Sequence, residues 1–186
     1  MADPDFVEKL DVLDKISVSL YRLGISLFSL CLLLYSLILF SKAGWLRTLV
    51  SFEHYIIVGL CVSSALSAAN IHVYSKAVRA VIAWSSWIGV VIMASQPTEL
   101  FFAAGLGFLF VTFSGIALKE SFCFRVIGLK FIPLFLAPAT FLIMSQLWLA
   151  AGLLLLVSSF ILSYLSVQKW KMPLHFDIGK KSNYQI

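Results

Sequence analysis

Between Leu20 and Phe40 the chain reads LYRLGISLFSLCLLLYSLILF, 21 residues in which Arg22 is the one charge. That length and character match the roughly 20 apolar residues a helix needs to cross the hydrocarbon of a bilayer. The pattern recurs over Tyr55–Val73, Ala77–Ser95, Leu100–Leu118, Leu129–Ser145 and Leu147–Val167. Backbone polar groups in lipid must be satisfied within their own segment or in a closed barrel. Six such runs therefore predict an all-α fold, a polytopic transmembrane helical bundle of about six spans. The fifth run contains Pro133 and Pro138, and only Ser145 and Gln146 separate it from the sixth, which predicts a kinked helix and a tight hairpin. Composition agrees, since only 12% of residues are charged against about a quarter in soluble domains.

Ahead of the first run, MADPDFVEKLDVLDK carries Asp3, Asp5, Glu8, Asp11 and Asp14 where a secretory signal would carry basic residues. No cleaved leader is expected. Phe6, Leu10, Leu13 and Ser17 recur at three or four residues, and Asp3 before Pro4 reads as a helix cap and first helical position. Residues 1–19 are thus expected to form an amphipathic helix on the membrane surface and residues 20–167 the bundle. Residues 168–186 form a polar tail that packs across the helix ends or docks on a partner. Of the 14 Lys and Arg residues, all but Lys42 and Arg47 fall on the side of the termini. Cytoplasmic loops carry the excess of such residues, so both termini are expected on the cytoplasmic or stromal side. Anionic headgroups account for the net charge of +5 without any nucleic acid.

The polar residues near the span ends are the candidates for function. In SAANIHVYSK, at the cytoplasmic end of the second helix, Asn70 and Tyr74 form an i, i+4 pair on one face. His72 suits an interfacial residue bonded to a carbonyl, a ligand to a pigment's metal, or a partner contact. His54 begins the same run, about 27 Å away along a straight helix, so the two cannot ligate one haem. A single His-ligated chlorophyll stays open for either. Trp84, Trp87, Phe108 and Phe113 are candidate walls for a chlorophyll or carotenoid, against plain helix packing as the alternative. Ser63, Ser67 and Ala65, Ala69 place small residues four apart, which lets helices approach closely; Gly105 and Gly107 with Ser114 and Gly115 in the fourth run could serve the same purpose or leave room for a flat ring or carotenoid.

The stretch GIALKESFCFRVIGLK sets Lys119, Glu120, Arg125 and Lys130 at the end of the fourth span. Cations suit a helix C-terminus, whereas Glu120 has the wrong sign there. It is expected to pair with Arg22, Arg79 or Arg125. Cys123 has positive neighbours but no base in reach by sequence, so a nucleophilic role is disfavoured. No charge falls in the central two-thirds of any span, and there is no HExxH, histidine box or Ser/His/Asp set. The expectation is a protein that is not an enzyme.

Four pieces, YRLG at Tyr21–Gly24, NIHVYSKAVR at Asn70–Arg79, SGIALKESFCF at Ser114–Phe124 and DIGKKS at Asp177–Ser182, resemble a family of uncharacterised six-helix integral membrane proteins of cyanobacteria and plastids. The resemblance implies a thylakoid membrane. It also implies that Arg22, His72, Lys119, Glu120 and Asp177, with Asn70 and Arg125 beside them, form a stromal polar network suited to partner docking. The leading expectation is a thylakoid protein associated with a photosystem or related pigment-protein complex, as accessory subunit or assembly factor among membrane lipids. The alternative is a small transporter or lipid-handling permease with a gate near Pro133 and Pro138.

Overall fold

Asp11 starts the first helix: its side chain accepts from the Asp14 backbone N–H at 2.7 Å, and the Asp14 carboxylate accepts from the Asp11 N–H at 3.0 Å. This reciprocal cap satisfies two of the donors that a helix start leaves open. From it α1 runs unbroken over Val12–Lys42. The structure, a computed structural model, describes residues 9–46, 50–95, 98–123 and 126–185. The expected cap at Asp3 and Pro4, with Phe6, lies outside them, as do Arg47 and Arg125. No separate surface helix over residues 12–19 is present, because those residues are the first turns of the spanning helix itself, with Val12, Leu13 and Ile16 exposed along it.

The remaining helices are α2 (Glu53–Ala69), α3 (Lys76–Ala94), α4 (Glu99–Cys123), α5 (Ile132–Met144), α6 (Trp148–Trp170) and the short α7 (His175–Ile178). Among the described residues five stretches are long and apolar enough to cross a membrane: Val12–Lys42, Val50–Ala69, Lys76–Ala94, Glu99–Cys123 and Trp148–Trp170. The fifth expected span is shorter, Leu129–Met144, about 24 Å at the helical rise. Pro133 stands in its first turn and Pro138 inside it. The hairpin to α6 is tight, closed by the Leu147 N–H on the Leu142 carbonyl at 2.8 Å, with Gln146 at φ 58°.

Each helix packs on the next, α1 on α2, α2 on α3, α3 on α4, α4 on α5 and α5 on α6, and α6 returns to α1. The six make a closed ring. Small residues set its spacing: a Cβ on Gly24 would lie 2.9 Å from the Ser63 carbonyl, so α1 and α2 touch through backbone there. Ser64 and Ser86 hydroxyls meet at 2.9 Å between α2 and α3. Across the middle of the ring α1 and α4 face each other, with Phe28 stacked on Phe113 at 3.4 Å and edge-on to Phe110 at 6.5 Å. The three rings are buried and fill the centre.

Candidate functional site

Where α1, α4, α6 and the tail meet lies a charged cluster, buried except at Lys119. Asp177 of α7 accepts from Arg22 Nε at 2.7 Å and also pairs with Arg22 Nη2 and Lys169 Nζ. Arg22 spends its other donors on the carbonyls of Met172, at 2.8 Å, and Pro173, at 3.0 Å. Glu120 Oε1 takes the Tyr21 hydroxyl at 2.7 Å, Lys169 Nζ at 2.8 Å and Lys119 Nζ at 2.9 Å. Both lysines lie over the Tyr21 ring, 5.0 and 5.1 Å from its centre. Arg22 is 2% exposed, Glu120 1%, Lys169 2% and Asp177 6%. Charges this deep persist only when paired and hydrogen-bonded.

The tail is what closes the cluster. Pro173 turns the chain back, and α7 lays Asp177 and Ile178 into the helix ends. Gly179 follows with φ 64° and ψ −146°, a backbone region open essentially to glycine alone, and a Cβ there would collide with the Tyr74 hydroxyl. Beyond it the Lys180 N–H donates to that hydroxyl at 2.9 Å, Tyr184 packs edge-on to Tyr74 at 5.0 Å, and Lys181 pairs with Asp14. Arg79 donates to the carbonyls of Val73 and Gln185, both at 3.0 Å. Both ends of the described chain therefore sit at one end of the ring.

Beside the cluster opens a cavity of about 620 Å³, lined by His72, Val78, Leu118, Lys119, Glu120, Phe122, Cys123, Lys169 and the tail from Phe176 to Gly179. His72 bonds Ser17 through Nε2 at 3.2 Å, and burial, with Lys119 nearby, pulls its pKa down to about 4. It is neutral at neutral pH. A second cavity, also about 620 Å³, lies at the opposite end, lined by Tyr35, Lys42, Glu53, Glu99, Gln146 and Trp148 with Phe102, Ala103 and Ile143. The fully buried Tyr35 hydroxyl on its wall has no partner among the described residues. Tyr21 and Tyr35 each stand seven residues from Phe28 on α1, about 10 Å along the axis, so the aromatic centre separates the two cavities.

Several expectations change against this geometry. Arg22, Lys119, Glu120 and Asp177 do come together, with Arg22, Glu120 and Asp177 buried and Lys119 partly open on the cavity. Glu120 pairs with neither Arg22 nor Arg79; its partners are Lys119, Lys169 and Tyr21. Asn70 and Tyr74 do not share a helical face, because α2 ends at Ala69 and Asn70 folds its amide back on the Leu66 carbonyl at 2.9 Å. His54 is exposed at the start of α2, beside Tyr55 and at the other end of the helix from His72. Trp84, Trp87 and Phe108 are outward-facing while Phe113 is buried, and none of the four lines either cavity. The room beside Gly105, Gly107 and Gly115 is taken by side chains of Ile92, Met93, Thr140 and Ile82. Sequence reasoning missed Lys169, Tyr21 and Tyr35; the seven-residue spacing of Tyr21, Phe28 and Tyr35, a repeat that keeps one helical face toward a partner, was the available signal.

A helical bundle with five spanning-length helices and a sixth shorter apolar one is an integral membrane protein by construction. The chain belongs to the family described as "Uncharacterized integral membrane protein (DUF2301)", whose profile matches residues 66–186. An uncharacterized protein of Haemophilus influenzae is 34% identical over 186 residues, covering 100% of both chains. No solved structure matches.

Proposed function

We propose that this protein is a small membrane permease without covalent chemistry, passing an amphipathic solute between two opposed vestibules. The observation that carries the reading is the pair of cavities of about 620 Å³ at opposite ends of one helix ring, with Phe28, Phe110 and Phe113 closed between them. Each vestibule presents apolar walls with a few convergent polar groups, the usual make-up of a small-molecule site. Lys and Arg crowd the end that holds the described ends of the chain, which supports reading that end as the cytoplasmic one. The gate in this reading is the central aromatic stack rather than the prolines of α5. Of the residues expected to form a docking face for a photosystem in a thylakoid membrane, Arg22, Glu120 and Asp177 are buried, which favours the permease over an accessory role.

Accessibility tests the permease. With Cys31, Cys61 and Cys123 replaced by Ser, single cysteines at Leu118 and Ala103 are exposed to a membrane-impermeant thiosulfonate from either side of sealed vesicles. Leu118→Cys is expected to react from the terminal side and Ala103→Cys from the other, with Phe28→Ala letting label cross. Silence at both positions from both sides removes the permease. Co-migration of the tagged chain with a pigment complex on native gels would favour the accessory role instead.

A further inference from the structure

We infer that the cavity at the tail end binds an anionic amphiphile, its single negative headgroup held at Lys119 and its hydrocarbon chain lying along Val78, Leu118 and Phe122 toward the lipid. The inference rests on reading that cavity as a vestibule and names its ligand class.

The charges select the sign. Among the described residues the buried cluster holds three cations, Arg22, Lys119 and Lys169, against two carboxylates, Glu120 and Asp177. Each carboxylate already holds two cations, so neither is left to receive a cationic headgroup. Lys119 is the most open of the cluster members that line the cavity, its side chain 16% exposed where Glu120 and Lys169 are 1% and 2%. An ammonium carries three donors, and Lys119 uses one, on Glu120. His72 on the same wall is neutral at neutral pH and adds no counter-charge or competing cation. An incoming carboxylate or phosphate would take the open donors of Lys119.

The apolar half of the ligand follows from the rim. Val78 and Leu118 lie on the outer faces of α3 and α4, 45% and 41% exposed, and Phe122 is 76% exposed at the end of α4. All three line the cavity. A chain leaving the headgroup site along them stays in contact with hydrocarbon. A cavity of about 620 Å³ lies within the range of roughly 300–1,000 Å³ of small-molecule sites.

The test uses the full chain in phosphatidylcholine nanodiscs at pH 8, titrated calorimetrically with dodecanoate, dodecanol and dodecyltrimethylammonium. Dodecanoate is expected to bind at one site at least tenfold more tightly than dodecanol, with the ammonium compound showing no site. Lys119→Gln should weaken dodecanoate at least tenfold. Val78→Trp, which fills the cavity without touching a charge, should do the same, and Lys130→Gln, exposed at the same end, should change nothing. Equal affinity for dodecanol and dodecanoate, or unchanged binding in both Lys119→Gln and Val78→Trp, overturns the inference. A second arm adds phosphatidylglycerol to the nanodiscs. Lys119-dependent competition by it assigns the headgroup to a membrane lipid, and dodecanoate binding undisturbed by it assigns a free acid; either supports the shared chemistry. Dodecanoate binding in a protein whose cysteines stay silent keeps the site and removes the permease, while labelled vestibules without dodecanoate binding remove the site alone.

Discussion

The two ends of the ring use the same residue types to different effect. At the tail end, Arg22, Lys119, Lys169, Glu120 and Asp177 are fused into one buried cluster that ties α1, α4 and α6 to α7. At the opposite end Lys42 and Glu53 meet at 2.6 Å with about a quarter of each side chain exposed, and Glu99 stands in the open at the start of α4. A close ion pair is not in itself a strong one. Water and counter-ions screen the far pair to a fraction of a kcal/mol, whereas removing one partner from a buried pair strands a charge with no solvent to receive it. The difference lies in what covers the charges, and at the tail end the cover is a segment of chain 150 residues away from Arg22 in sequence.

The sharpest way to break the comparison is Asp177→Asn, which leaves Arg22 and Lys169 without their shared carboxylate. A loss of about 3–5 kcal/mol is expected, read as a lowered unfolding temperature in detergent; a change within error would mean that Asp177 is not buried. Next comes Glu120→Gln, which removes hydrogen bonds to charged groups worth about 1.5–3 kcal/mol. Lys130→Gln, an exposed charge in the same region, should be silent in the same melt, and equal effects would erase the distinction between buried and topological charge.

Acid probes the tail end more gently. His72 titrates at about 4 in the folded protein against 6.5 for a free side chain, so the unfolded chain binds the extra proton first. Its contribution to stability is complete above pH 6.5 and is lost as the pH falls toward 4. His72→Gln should flatten that part of the stability profile, and an unchanged slope would show that the imidazole is solvated. The smallest effect is expected at the far end, where Glu53→Gln should cost about 0.2–1 kcal/mol and nothing in high salt. A salt-insensitive loss there would place that pair in the same class as Asp177.

Much of this was legible in the chain. Apolar runs of membrane length located the helices, because lipid leaves a segment no other way to satisfy its backbone. Glu120 was legible as a network member because its sign is wrong for a helix C-terminus. Its partners were not, since Lys169 sits in QKWK and reads as one more positive residue on the terminal side. Only the return of the tail buries it. The start of α1 was misjudged because residues 10–17 have helical spacing with polar interruptions, a pattern shared by a surface helix and the wet end of a long spanning one. The irregular turn after Ala69 was hidden because no Gly or Pro marks it. The cavities come from how six helices lean together, which no local pattern encodes.

The pairing of Arg22 with Asp177 also sets an order on biogenesis. Arg22 enters the membrane with the first helix, yet its counter-ion is 155 positions further along. While the intervening helices are being made, that guanidinium has no permanent partner and must stay near the headgroups, leaving α1 loosely seated. Arrival of Asp177 is then the event that locks the first helix in place. A chain that lacked Asp177 would leave the Arg22 guanidinium without its carboxylate at the helix ends.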